Sequence, residues 1–235
     1  MSDVVEGHEP QTVRVFNSVL KEGDEVIVCG AHQGYFVKIC SKLVGQTGRV
    51  FGYEPEPENF SLLSAACKEL DNVEIFNFAL GNKKATAPLF VNSDNDGGHA
   101  LWDVSRYPLN HKSQQERIVI QTEVNTIDEL FANRDMSRLK LIMLDAEGSE
   151  HAILQGGINT ITDVFPYIIC EINDPALIQC GTSQRGLRSY LSMYGYKAYW
   201  MDLEQCVDIG TDDWSVKIND TLVVFNVLFS IRGIV

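Results

Sequence analysis

Several short segments of the 235-residue chain carry residue types that bind ligands or move protons. Gly30-Ala31-His32-Gln33-Gly34 is a glycine-bounded run that lets a ligand lie close against backbone. Glu54 stands twenty residues beyond Gly34. A carboxylate at such a strand end accepts hydrogen bonds from both hydroxyls of a ribose. Asn77-Phe78-Ala79-Leu80-Gly81 offers a side-chain amide and an apolar wall to a flat base. Asp145, Glu147 and Glu171 are carboxylates, and His99 and His111 imidazoles, that could take the proton of a hydroxyl. The glycine run, the strand-end acid and the amide with its apolar wall fit an adenosine-containing ligand.

The elements that must position these residues follow from hydrophobic period. Val13, Phe16 and Leu20 predict a helix within residues 1–24. Val26-Ile27-Val28-Cys29 is a compact apolar run, the pattern of a strand covered on both faces. Phe36, Ile39, Cys40, Leu43 and Val44 give a helical stripe closed by Gly45 and Gly48. A strand at Arg49 to Tyr53, a helix around Phe60, Leu63, Cys67 and Leu70, and a strand at Asn72 to Phe76 complete a β-α-β-α-β unit, which implies a parallel sheet. Further strands are expected at Thr86 to Val91, Ile118 to Val124, Leu139 to Leu144, Tyr167 to Ile172, Tyr196 to Trp200 and Thr221 to Leu228, with helices near Glu150 and over Gly186 to Tyr194. One domain over 1–235 is expected, with residues 92–117 a polar insert whose Trp102, Tyr107, His99 and His111 suit a substrate lid.

Composition narrows the chemistry. Asp and Glu number 32 against 19 Lys and Arg, a net charge of -13, which argues against nucleic acid and anionic membrane as partners. The first ten residues have neither a basic stretch nor an apolar run, and no segment reaches the ~18 apolar residues of a membrane span. The six cysteines never form C-x-x-C, so they read as reduced thiols of a cytoplasmic protein. His32 and Tyr35 replace the glycines that a pyrophosphate-binding G-x-G-x-x-G turn needs, which disfavours a nicotinamide oxidoreductase. Asn92-x-Asp94-x-Asp96-Gly97 has calcium-loop spacing, but His99 stands at an apolar position and Asp103 replaces the bidentate glutamate. No zinc pattern is present, and no metal is expected.

The ordered strings Gly30-Ala31-His32-Gln33-Gly34-Tyr35-Phe36, Tyr53-Glu54-Pro55-Glu56-Pro57-Glu58-Asn59-Phe60, Asn77 to Gly81, Asp145 to Glu150 and Cys170-Glu171-Ile172 resemble the FkbM-type family of S-adenosylmethionine-dependent methyltransferases. The resemblance covers roughly Glu25 to Asn173. It implies an α/β, Rossmann-like class I fold, a mostly parallel seven-stranded sheet with an antiparallel last strand. It also implies S-adenosyl-L-methionine as cofactor and O-methyl transfer to the hydroxyl of a sugar or secondary metabolite.

The carry-over sets Gly30, Ala31, His32, Gly34 and Tyr35 against the methionine part of the cofactor, and Glu54, with Pro55 and Asn59 beside it, on the ribose. Asn77, Phe78 and Ala79 would border the adenine. Asp145 and Glu147 would lie between cofactor and acceptor, with Asp145 or His99 as base. Val28 stands where the family usually carries an aspartate for the cofactor's amino group, and Met143 where a lysine is common. These departures make a divergent or inactive module, kept for cofactor binding or protein interaction, the second reading. Neither the acceptor nor the oligomeric state is legible.

Overall fold

The structure, a computed structural model, describes residues 8–210 and 224–233. Trp214 and the first three residues of the last expected strand lie outside them. The chain opens with α1 (Pro10–Val19), β1 (Glu25–Cys29), α2 (Tyr35–Val44), β2 (Arg49–Tyr53), α3 (Pro57–Cys67) and β3 (Val73–Phe76). Each β1 residue is buried, as expected of a central parallel strand with helices on both faces. Its neighbours are β2 on one side and β7 (Leu139–Leu144) on the other, both parallel.

The main sheet continues through β8 (Tyr167–Ile172), β11 (Phe225–Ser230) and β9 (Lys197–Met201), with β11 antiparallel to both neighbours. It has eight strands where seven were expected. The extra one is β10 (Cys206–Asp208), which pairs antiparallel with β9 at the edge. Only one of its three residues is buried, so it leaves no alternation to read.

Strand alternation sends Ile27, Cys29, Ile142 and Leu144 into one core and Val26, Val28, Leu141 and Met143 into another. Helices α1, α2 and α3 cover the second core. The first lies under α5 (Ile127–Phe131), α6 (Glu150–Gly156), α7 (Ile158–Val164), α8 (Asp174–Gln179) and α9 (Gln184–Ser192). Fully buried Phe16, Phe51, Ile27 and Leu141 each contribute about 1.5–3 kcal/mol of burial to this three-layer arrangement.

Strands β5 (Ala85–Val91) and β6 (Ile118–Asn125) stay out of the main sheet. They pair antiparallel, with β4 (Ala79–Leu80) on the free edge of β6. The polar insert grows from the tip of this hairpin. It has its own small core of Phe90, Ala100, Val104 and Trp102, and includes a turn of 3-10 helix at Val104–Arg106 and α4 (His111–Gln115). The oxygens with calcium-loop spacing face protein donors instead: Asp94 accepts the N–H groups of Lys112 and Ser113, and Asp103 accepts Arg117. Among the described residues no group of three His, Cys, Asp or Glu is arranged to hold a metal ion. Nor is any described helix long and apolar enough to cross a membrane.

Candidate active site

The carboxyl ends of β1, β2 and β7 open into a cavity of about 340 Å³, where ligands of open α/β sheets bind. From β1 and its loop come Cys29, Gly30, Ala31 and His32; from β2 come Tyr53, Glu54 and Pro55. Tyr35 and Asn59 reach it from the first turns of α2 and α3, Phe78 and Ala79 from the crossing into the small sheet, and Asp145 and Glu147 from the end of β7. His99, Asn95 and Asp96 of the insert close the opposite side. His8 and Glu9, which sequence reasoning did not bring to the site, form a further wall at the start of α1, with the His8 ring against Tyr35 and Phe36.

Two expected residues act from outside the lining. Gly34 takes a left-handed conformation, φ 89°, and starts α2; a Cβ there would come 2.9 Å from Leu63 Cδ1. Asn77 donates through Nδ2 to the carbonyls of Glu54 and Pro55, at 2.9 and 3.2 Å, so its amide pins the loop after β2 and does not border the cavity.

The β1 loop is folded by its own backbone. Gly30 and Ala31 donate to the Tyr53 carbonyl at 3.0 and 2.9 Å, and Gly34 to Ala31 at 2.8 Å. His32 N–H donates to Glu54 Oε2 at 2.8 Å. Four of the five loop amides are thus satisfied within the protein, and a phosphate would find few donors. Gly30 is required by contact as well as by its φ of 76°: a Cβ would lie 1.7 Å from the Asp145 carbonyl oxygen. Of the four non-glycine residues with positive φ among those described, Glu9 (50°), His32 (48°) and Glu147 (48°) line this cavity, a concentration of backbone strain typical of functional sites.

The charge of the cavity is one-sided. Glu9, Glu54, Asp96, Asp145, Glu147 and Glu171 line it, and among the described residues no Lys or Arg does. Glu54 is buried, and each carboxylate oxygen accepts one backbone N–H, from His32 and from Glu56 at 2.9 Å. Burial nonetheless pushes it up to about 7. Burial, followed by the Glu150 charge, raises Glu147 to about 7, while Asn173 Nδ2 holds its Oε2 at 3.0 Å. Burial and their shared surroundings of carboxylates also raise Asp145 and Glu171 well above the usual range. Glu150 acts from beneath: its Oε1 accepts the N–H groups of Ala146 and Gly148 and sets the shape of the β7 loop.

His99 is lowered by burial, and its Nδ1 accepts the Asn92 N–H at 2.9 Å. A backbone N–H can only donate, so neutral His99 carries its proton on Nε2 and offers the cavity a donor. That hydrogen bond favours His99 as a donor to the cavity over His99 as a base. The insert is fastened at both ends of the cavity. Asn59 Nδ2 donates to the Asp96 carbonyl at 2.8 Å, and Trp102 Nε1 donates to the Glu147 carbonyl at 2.8 Å.

A second cavity of about 330 Å³ lies under the insert, bounded by Asn92, Trp102, Tyr107, Asn110 and Asn173. Asn95, Glu147 and Glu171 line both cavities. Val28 and Met143, the two departures from the family pattern, are register neighbours on β1 and β7 and are both buried in the α1–α3 core. An apolar pair stands side by side where two opposite charges were expected, so no unpaired charge is left behind.

Comparison with known proteins agrees with this geometry. The chain is 27% identical over 188 residues to the 2-O-methyltransferase NoeI of Sinorhizobium fredii, covering 75% of this chain and 73% of that one. Its fold is similar to the crystal structure of methyltransferase FkbM from Methylobacillus flagellatus, with a TM-score of 0.55 and 14% identity over 94% of this chain; it spans 50% of that longer chain. The family defined by the methyltransferase FkbM domain matches residues 29–198, from the last residue of β1 into β9. The chain belongs to the FkbM-domain methyltransferase family.

Proposed function

We propose that the chain is an S-adenosyl-L-methionine-dependent O-methyltransferase acting on a hydroxyl of a small molecule, with the first cavity as its cofactor site. The observation that carries this reading is the cavity's charge: carboxylates and, among the described residues, no Lys or Arg, above a loop four of whose five amides are spent. That donor set suits a cationic ligand with ribose hydroxyls and opposes an anionic dinucleotide.

The residues fit the cofactor group by group. The remaining lone pairs of Glu54 would take the ribose hydroxyls. Phe78, Ala79 and Pro55 would wall the adenine. Asp145, Glu171 and Glu9 would receive the ammonium, the role that Val28 cannot fill. Bound there, the cofactor supplies a methyl group on a sulfonium, an electrophile that needs alignment more than activation.

The chain's own work is to hold the acceptor hydroxyl in line, exclude water and take one proton. Glu147 is the favoured proton acceptor: it borders both cavities, its Oε2 is held by Asn173, and a carboxyl near 7 is matched to neutral operation. Asp145, the other expected base, lines the first cavity and not the second, and we assign it to cofactor binding. Free thiols at all six cysteines support a reducing compartment, and we place the protein in the cytoplasm. The divergent-module reading has less support, because the Val28–Met143 exchange is internally compensated.

The test is a calorimetric titration of the cofactor-free chain with S-adenosylhomocysteine. Micromolar binding is expected; a folded protein that does not bind at millimolar ligand overturns the reading.

A further inference from the structure

We infer that the second cavity is the acceptor site and that it takes a neutral, hydroxyl-rich ring the size of one sugar unit, an inference that rests on the proposed methyl transfer. The cavity joins the first through Asn95, Glu147 and Glu171, so a hydroxyl within it reaches the boundary where Glu147 stands. Its volume of about 330 Å³ is at the small end of ligand sites, enough for one ring and not for a polymer or a macrocycle.

The lining chooses the chemistry. Glu147 and Glu171 line the cavity and, among the described residues, no Lys or Arg does, so a phosphate or carboxylate on the acceptor would find no cationic partner. Trp102 spends its only N–H on the Glu147 carbonyl, which fixes the indole and leaves its ring to the ligand. With Tyr107 it offers aromatic surface against which the C–H face of a pyranose packs.

Around these rings the amides are split into donors and acceptors. Asn92 Oδ1 accepts Asp94, Asn95 and Ser113, and Asn95 Oδ1 accepts Gly97, so both keep Nδ2 as a donor. Asn110 gives Nδ2 to the Val104 carbonyl and keeps Oδ1 as an acceptor. Glu147 keeps Oε1. Glu171 Oε2 is buried with no hydrogen-bond partner among the described residues, a cost that a hydroxyl donor entering from this side removes. Hydroxyls both donate and accept, and a ring bearing several of them is the ligand that satisfies such a mixed set.

The experiment is saturation-transfer NMR with millimolar methyl glycosides of glucose, galactose and mannose, and with glucose 6-phosphate and glucuronate as anionic counterparts. Spectra are taken with and without S-adenosylhomocysteine, whose own binding is read by calorimetry. At least one neutral glycoside is expected to receive magnetisation on its ring protons. That signal is lost in Trp102→Ala, kept in Trp102→Phe, and reduced at least threefold in Asn110→Ala, which serves if Trp102→Ala does not fold. No signal from any neutral glycoside, a stronger signal from the anionic counterparts, or equal signals in wild type and the folded variants overturns the inference. Absent S-adenosylhomocysteine binding overturns the cofactor reading by itself, because the glycoside signal is read independently.

Discussion

The backbone N–H of His32 donates to Glu54 Oε2 at 2.8 Å, so the loop after β1 is tied to the carboxylate at the end of β2. Glu54 therefore shapes the loop as well as facing the cavity.

Glu54→Ala removes the acceptor for two backbone N–H groups and the partner proposed for the ribose. Leaving such donors unsatisfied costs about 1–3 kcal/mol of stability. Losing two charge-assisted hydrogen bonds to ligand weakens binding by at least about tenfold. Thermal melts and calorimetry on Glu54→Ala and Glu54→Gln separate the effects, with the glutamine variant keeping more of the stability than of the affinity.

Gly30→Ala is expected to fail in the fold. The added Cβ would lie 1.7 Å from the Asp145 carbonyl oxygen in a residue of φ 76°. Relief requires β1 and β7 loops to part, at a cost on the order of 3 kcal/mol or more. A melting temperature lowered by roughly 6 °C or more, or insoluble expression, is the expected outcome; an unchanged melt would show that the loop is slack.

The pH dependence has a definite sign. Burial raises Glu54 and Glu147 from an ordinary 4.5 to about 7, so the folded state holds more protons than the unfolded one between those values. Their contribution is fully present below the unfolded value and is lost as pH rises through about 7. The chain should melt higher near pH 5.5 than near pH 8, a window above the range in which the lowered carboxyls Asp94, Asp103 and Asp135 titrate. As a base Glu147 works ionised, so kcat/KM rises with pH and levels above about 7. Glu147→Gln is expected to lose about 10²–10⁴ of the rate together with that inflection. His99→Gln keeps the inflection.

Asn59 fastens the insert through the Asp96 carbonyl. Removing one such bond in Asn59→Ala, worth about 1 kcal/mol, should speed S-adenosylhomocysteine release roughly fivefold in stopped-flow, with little change in melting temperature. An unchanged release rate would mean that the Trp102 contact alone holds the insert over the cavity.

The alternation of apolar runs and helical stripes was enough to read β1 to β3, α1 to α3 and β5 to β9, because burial on two faces leaves a period in the residues themselves. Glu54, Asp145 and the Gly30 loop could be singled out and do line one cavity, since each sits where a strand ends and a chain direction changes. Other features depend on residues far apart in the chain and had no local signal. Asn77 stands outside the cavity as a strut, and Asn59, which lines the cavity, also holds the insert, since the backbone carbonyls they meet are set by neighbouring loops. Glu9 entered the cavity only because α1 packs beside β9 and β11, with Asn226 donating to its carboxylate. The protonation of His99 was decided by a single N–H seven residues away, and the second cavity by the docking of Trp102 on the β7 loop. Sequence specifies periods and chain reversals, which are local. Which polar atoms remain unspent for a ligand is a property of the packed whole, because every hydrogen bond made inside the protein removes one that a ligand can use.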